Sequence, residues 1–377
     1  AVWFLLLPLL IAGAAWWITG DRIRALAVLV VATPCPLILA LPVALIAGMS
    51  RLAREGVLIK SGGALEMLAK VRTAILDKTG TLTFGEAHIV AMRTVDGWDA
   101  TEMLRLAASL DQASGHVIAR ALVREARGRG LHLSTPSGVT EVGGTGIRGT
   151  VEGRDVVVGG SGFIHGIAPD RDPYSLRDGL PEGAVVVAVA VDGRLAGIIV
   201  LADDLRPDAA SALDRLRAAG MDRIVIASGD RQDVVDAVAN QLSVAVAHGE
   251  LSPEAKLRIV EQETAGAPVL MVGDGVNDAP ALASATVGVA MGARGSAASA
   301  ESADVVLLVD RIDKLAVAVS VARRTRRIAL ESVIVGLGLS VVAMVVAAFG
   351  YLPPVAGALL QEVIDVAVIL NALRALR

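Results

Sequence analysis

The sequence predicts an α-helical membrane bundle that carries a large α/β domain outside the bilayer, with a second α+β domain inserted into it. Three observations predict this architecture. The 377-residue chain is 54% hydrophobic, with a mean hydropathy of +0.61, and the excess is concentrated at the two ends. Residues 1–20, 25–50 and 332–361 carry no charge, and each run exceeds the ~18 apolar residues that mark a membrane-span candidate. Between the ends, short apolar strands alternate with helical patterns, the signature of a mostly parallel sheet covered on both faces. The same composition excludes an intrinsically disordered chain, which would be poor in apolar residues. A net charge of −4 gives no case for a nucleic-acid binder. The single cysteine, Cys35, excludes an intrachain disulfide framework and a cysteine-only zinc site.

Taken in chain order, residues 1–50 read as a hairpin of spans at 2–19 and 25–49. Trp3, Trp16 and Trp17 flank the first span as interfacial aromatics do. A cleaved signal peptide fits poorly, because no basic region precedes the first apolar run and a second span follows. Residues 323–377 read as a second hairpin, with spans at 328–349 and 354–373 broken at Gly350–Pro354. The four spans bracket a middle that begins with Arg51, Arg54, Lys60, Lys70 and Arg72 and ends with Arg323, Arg324, Arg326 and Arg327. By the positive-inside rule residues 51–327 are cytoplasmic, although Arg22 and Arg24 count against it. Arg374 and Arg377 place the C-terminus inside as well.

In the middle, strands are expected at Thr73–Leu76, Leu195–Leu201, Arg223–Ala227, Val269–Val272 and Val287–Ala290, with helices at Asp208–Ala219 and Gln232–Gln241. Residues 85–192 differ: they are glycine-rich from Gly143 to Gly162, with strands at Asp155–Val158 and Ala184–Val191. They read as an insertion between 51–84 and 193–322, which together form the α/β domain.

Four segments end at one edge of that sheet. The first strand runs into Asp77-Lys78-Thr79-Gly80-Thr81, a carboxylate placed where parallel sheets bind ligands. Ser228-Gly229-Asp230 follows another strand, Lys256 supplies a cation, and Gly273-Asp274-Gly275-Val276-Asn277-Asp278 holds two carboxylates four residues apart. Taken singly, such Asp-Gly segments are more often plain turns. Together they suit phosphoryl transfer to an aspartate: a nucleophilic carboxylate, a lysine, small hydroxyls such as Thr79 and Ser228 for phosphate oxygens, and carboxylates for Mg²⁺. Magnesium prefers oxygen ligands and retains waters, so Asp77, Asp274 and Asp278 suffice.

With these motifs the chain resembles the P-type ATPases, and more narrowly the heavy-metal-transporting class. The resemblance implies that Asp77 accepts the γ-phosphoryl of ATP and that the α/β domain has the haloacid-dehalogenase-like fold. Ser228 stands where the family usually has Thr and keeps the hydroxyl. Related phosphatases carry a second Asp two residues after the nucleophile as general acid/base; Thr79 at that position cannot do this work. Residues 85–192 correspond to the family's nucleotide-binding domain, implying contacts to ATP from Glu141, His116, Gly144, Gly146 and Gly159. Val117 replaces the usual Pro after His116. His88, His132, His165 and His248 lie outside any motif and read as surface or packing residues.

Thr33-Pro34-Cys35-Pro36 lies within the second predicted span, where two prolines remove helix hydrogen bonds and free carbonyls. A simple kink with a buried cysteine is the plainer alternative. In the last span Gln361, Glu362 and Asp365 are spaced to face inward together. A membrane charge costs at least ~2.5 kcal/mol unless paired or functional. A thiolate, two carboxylates and an amide oxygen, with Thr33, disfavour Cu⁺ and favour Ni²⁺, Co²⁺, Fe²⁺ or Zn²⁺. The class often has Cys-Pro-Cys here, so Thr33 argues against carrying over copper or cadmium specificity; the motif pair resembles a smaller nickel, cobalt or iron subgroup.

The resemblance implies an ATP-driven exporter in a bacterial plasma membrane. It also implies an actuator domain with a Thr-Gly-Glu loop, which this sequence lacks. The expectation is therefore a C-terminal portion whose partner is the missing N-terminal part, able to bind ATP but not to turn over efficiently alone. Two other readings stay open: a membrane-tethered phosphatase, and a non-cycling metal-binding remnant.

Overall fold

The computed structural model describes residues 2–32, 35–85, 87–142, 145–180, 184–273, 278–291 and 297–376, without the side chains of 2–5, 35–37 and 297–299. The chain divides into two compact units, Ala1–Ile75 with Ala210–Arg223 and Leu257–Arg377, and Leu76–Ala209 with Ile224–Lys256.

The first unit contains the apolar helices Val2–Thr19, Arg22–Val31, Cys35–Arg54, Asp313–Ala348 and Pro354–Ala372. Small side chains sit where they meet. Ala12, Ala27 and Val28 pack with Met344 and Ala347, and Ala44 packs with Ala329 and Ala372. A Cβ on Gly357 would lie 2.7 Å from a Val31 methyl. Close backbone approach of this kind supplies dispersion contacts where no hydrophobic drive separates helix from lipid. Large apolar side chains point outward instead, among them Leu10, Ile334, Val342, Leu359 and Val363. Among the described residues, two helices, Asp313–Ala348 and Pro354–Leu376, are long and apolar enough to cross a membrane.

The helix bounds differ from the apolar spans in two places. The span read at 25–49 is two helices, Arg22–Val31 and Cys35–Arg54. Pro34 and Pro36 lack the N–H groups that a continuous ladder needs. The first of the two starts at Arg22 because the Asp21 carboxylate accepts from the Ile23 amide at 2.8 Å and caps it. The span read from 328 belongs to a helix that begins at Asp313 and runs for 36 residues. At 1.5 Å per residue it is about 54 Å long, well beyond the ~30 Å hydrocarbon thickness. Hydropathy sees only its apolar part.

The unit's sheet runs in the order Val57–Ile59, Val305–Leu307, Val287–Met291, Val269–Gly273, Thr73–Leu76. Val289 pairs with Val305 and Leu270 with Val287 in parallel register, and the edge strand Val57–Ile59 is antiparallel. The central strands are buried along their whole length, as helix-covered parallel strands are.

The second unit holds a six-stranded antiparallel sheet ordered His88–Thr94, Arg194–Ala202, Val185–Val191, Arg154–Gly159, Gly146–Val151, Ser137–Val142. The strand expected at Leu195–Leu201 as part of the parallel sheet lies here, paired antiparallel on both sides. Helices Ala100–Asp111 and Val117–Gly128 bury one face of this sheet through Met103, Leu106, Leu110 and Leu122. Helix Ser161–Ile167 buries the other through Ile164. Covered on both faces, this strand reads as a continuous apolar run that periodicity does not separate from a parallel strand. The same unit contains the parallel pair Arg223–Ala227 and Val246–His248, with helix Gln232–Gln241 beside it.

Candidate functional site

Strand Thr73–Leu76 consists of four fully buried residues and delivers Asp77 at its end. The chain then turns tightly, with Gly80 at φ +72°, a left-handed conformation that costs a glycine little. Asp77 is only 6% exposed and Lys256 7%, and the Lys256 ammonium donates to Asp77 Oδ1 at 2.9 Å. At this distance each group offsets part of the other's loss of water.

Around this pair the loop is fixed by polar contacts. Lys78 Nζ lies 2.7 Å from Asp230 Oδ2, and Thr79 Oγ1 donates to the same oxygen at 3.4 Å. Thr83 donates to Asp203 at 2.6 Å. The buried Arg206 guanidinium donates to the carbonyls of Thr83 and Gly80 at 3.0 and 3.2 Å, and lies over the Phe84 ring. Ser228 is fully buried, and its Oγ accepts from the Asp230 amide at 3.2 Å, closing the turn after strand Arg223–Ala227. The buried Thr81 hydroxyl has no hydrogen-bond partner among the described residues.

The structure thus brings Asp77, Thr79, Ser228 and Lys256 together in the second unit. The sequence reading assigns no role to Lys78, Asp203, Arg206 or Asp230. Their signal is the polar run Asp203-Asp204-Leu205-Arg206 closing an apolar strand, and the lysine beside Asp77. Asp278 is buried in the first unit, its carboxylate close to Gly273, where an added Cβ would lie 2.5 Å from Oδ2. Asp274 lies outside the described residues.

In the six-stranded-sheet part of the second unit, the Ser114 hydroxyl donates to Glu141 at 2.6 Å, and the His116 amide donates to Ser114 Oγ at 3.1 Å. His116 caps helix Val117–Gly128 by accepting from the Ile118 amide on Nδ1, leaving Nε2 as the ring's other polar atom. Val117 occupies the first helical position, where proline's fixed φ is helpful but its missing N–H is not needed. The helix therefore starts there without it.

Gly146 and Gly159 face each other across paired strands, and both make room for Phe163. A Cβ on Gly146 would lie 2.5 Å from the ring, and one on Gly159 2.7 Å from the Thr145 carbonyl. Their smallness is thus already accounted for by packing. Gly144 lies outside the described residues. Nearby, Asp111 ends helix Ala100–Asp111 and is buried; burial, with the Glu141 charge adding to it, pushes its carboxyl up to about 7.

Within the helical bundle, Gln361 and Asp365 are buried on one face of Pro354–Ala372. Gln361 donates to Asp365 at 3.0 Å and accepts from Ser340 at 3.2 Å. Glu362 does not share this face: it is exposed. At about 100° per residue, Asp365 falls within roughly 40° of Gln361, whereas Glu362 sits a full 100° away. Thr33 lies outside the described residues, as does the side chain of Cys35. Among the described residues no three His, Cys, Asp or Glu side chains form a group able to hold a metal ion.

Residues 71–286 match the haloacid dehalogenase-like hydrolase family. The chain is 38% identical over 89% of its length to a zinc-transporting ATPase of Synechocystis, covering 46% of that protein. It is 36% identical over 91% to a cadmium, zinc and cobalt-transporting ATPase of Bacillus subtilis, covering 48% of it. It is 35% identical over 98% to a manganese-exporting P-type ATPase of Mycobacterium tuberculosis, covering 52% of it. A crystal structure of a zinc-transporting PIB-type ATPase in the E2.Pi state matches with a TM-score of 0.81 at 32% identity, over 99% of this chain and 62% of that one. The chain spans about half the length of the curated relatives it matches.

Proposed function

The chain belongs to the haloacid dehalogenase-like hydrolases, among relatives that are heavy-metal P-type ATPases, and from this premise we propose that it is the phosphoryl-accepting and ion-binding part of an ATP-driven exporter of a divalent transition metal. The observation that carries the proposal is the buried Asp77–Lys256 pair at the end of strand Thr73–Leu76. In this reading an Asp77 carboxylate oxygen attacks the γ-phosphorus of ATP, the bond to the β-phosphate oxygen breaks, and ADP leaves. Lys256 orients the carboxylate and offsets charge on the transferred group, while Ser228 and Thr79 offer hydroxyls to its oxygens.

An oxygen donor of the kind Mg²⁺ prefers is present in the buried Asp77 carboxylate, which would be a ligand to the ion. When bound, it would neutralise charge developing on the phosphoryl group. ATP would be held through Glu141, His116 and the glycine-rich strands, with Ser114 orienting Glu141. Thr79, two residues after Asp77, donates to Asp230 and offers no carboxylate to activate a water. That favours a persistent aspartyl phosphate over a phosphatase cycle.

For the transported ion, Gln361 and Asp365 supply buried oxygens, and Cys35 with Thr33 would complete a mixed set suited to Zn²⁺, Co²⁺, Ni²⁺ or Fe²⁺. The helices cross the membrane as two hairpins, with 51–327 on the cytoplasmic side. The test is acid-stable labelling of the chain with γ-phosphate-labelled ATP and Mg²⁺. Label is expected in the wild type and absent in Asp77→Asn; equal label in both would overturn the assignment. Co²⁺ absorption reads the ion site: loss of the thiolate band in Cys35→Ser and a shifted spectrum in Asp365→Asn are expected, and an unchanged spectrum in both would remove that site.

A further inference from the structure

Helix Asp313–Ala348 passes from a basic stretch into an uncharged one, with Glu331 the last charge before Glu362. At this change the first unit contains a cavity of about 620 Å³. Arg326 and Arg327 line it from the helix, Arg72 lies across from them, and Leu330 and Ile334 extend the lining toward the apolar stretch. Arg326, Leu330 and Ile334 recur at four-residue spacing, so they lie along one helix face.

Most of the neighbouring charge is already committed. Arg323 donates to the carbonyls of Val71 at 2.8 Å, Gly220 at 3.0 Å and Ala219, and Arg72 pairs with Asp222 at 3.2 Å. Lys70, also on the wall, pairs with Glu66 at 2.7 Å. Glu331 is the remaining acid of the lining. Among the described residues Arg326 and Arg327 have no ion-pair partner, and both are exposed. Leu330 and Ile334, above them, are 44% and 69% exposed.

We propose that this cavity binds the headgroup phosphate of an anionic phospholipid. Arg326 and Arg327 hold the phosphate oxygens, and the acyl chains lie along Leu330 and Ile334. Planar guanidinium forks match phosphate geometry, and basic pockets at the cytoplasmic end of membrane helices attract anionic headgroups. A soluble phosphate would leave the two apolar side chains in water; a lipid covers them, and this continuity favours the lipid. The proposal rests on helix Asp313–Ala348 crossing the bilayer.

The experiment uses the full chain in mild detergent, titrated with phosphatidylglycerol or phosphatidylcholine and read by native mass spectrometry, with flotation on pure phosphatidylcholine vesicles alongside. Retention of phosphatidylglycerol over phosphatidylcholine is expected. In R326Q/R327Q this retention falls roughly 25-fold, two charges at about fivefold each. R326K/R327K, which keeps the charge, retains most of it. Equal retention of the two lipids, no loss in R326Q/R327Q, or displacement of phosphatidylglycerol by excess inorganic phosphate would overturn the lipid site while flotation stays intact. Failure to float would overturn the membrane reading itself, and the lipid site with it.

Discussion

Replacing Lys256 by Met tests whether the Asp77 carboxylate depends on its buried partner. The two groups are 2.9 Å apart and each is less than a tenth exposed. Removing the ammonium takes this partner from a carboxylate that is out of water, a change that costs about 3–5 kcal/mol. A surface pair would cost no more than about 1 kcal/mol, so the magnitude separates the two situations. For a domain of this size the loss corresponds to a Tm drop on the order of 10 °C, at about 2–4 °C per kcal/mol. The assay is differential scanning calorimetry of the full chain in detergent, for the wild type, Lys256→Met, Asp77→Asn and the double variant. Because the second substitution removes the buried charge, the double variant should be more stable than Lys256→Met and less destabilised than the sum of the singles by about 2 kcal/mol or more. Additive effects, or a Lys256→Met cost below about 1 kcal/mol, would refute the buried-pair reasoning.

Further outcomes follow from other parts of the chain. Asp111 titrates near 7 in the folded protein, against an ordinary value near 3.8. Between these values the folded state holds a proton that the unfolded state has lost, so stability falls as pH rises, by about 1.4 kcal/mol per unit. Asp111→Asn should flatten thermal unfolding curves between pH 4 and 7 and raise Tm at pH 8; a wild-type pH profile in that variant would contradict this. Gly159→Ala should cost about 1–3 kcal/mol through collision with the Thr145 carbonyl and Phe163, measured by the same calorimetry. Ser114→Ala removes the hydroxyl that orients Glu141 and should weaken ATP binding about 3- to 10-fold by isothermal titration, the worth of one hydrogen bond. Binding at wild-type affinity would remove Glu141 from the nucleotide site.

Element type and the position of Asp77 at a strand end were legible because they depend on local pattern. Uncharged runs of span length, strand–helix alternation and the Asp77 motif are properties of neighbouring residues, and their structural counterparts are at or near the positions read. Helix Gln232–Gln241 and strands Thr73–Leu76 and Arg223–Ala227 have the bounds expected from pattern. Strand Arg194–Ala202 is read from sequence as a strand at Leu195–Leu201 but in the wrong sheet, because an apolar run buried on both faces looks alike in a parallel or an antiparallel sheet. The Asp21 cap and the Asp313 start of the long helix were missed for a related reason. Hydropathy weighs side chains, whereas helix ends are set by backbone hydrogen bonds.

The sequence by itself determined that the chain has apolar helical ends, an α/β middle and an aspartate in the run Asp77-Lys78-Thr79-Gly80-Thr81, since each of these lies in consecutive residues. Only the tertiary structure decided which side chains meet: Lys256 with Asp77 across 179 positions, Thr83 with Asp203 across 120, and Glu362 turned away from Gln361 and Asp365. Spacing fixes the angle at which a side chain leaves its own helix or strand. Which neighbour it encounters there is fixed by how elements distant in the chain pack, through burial and excluded volume that no single segment contains.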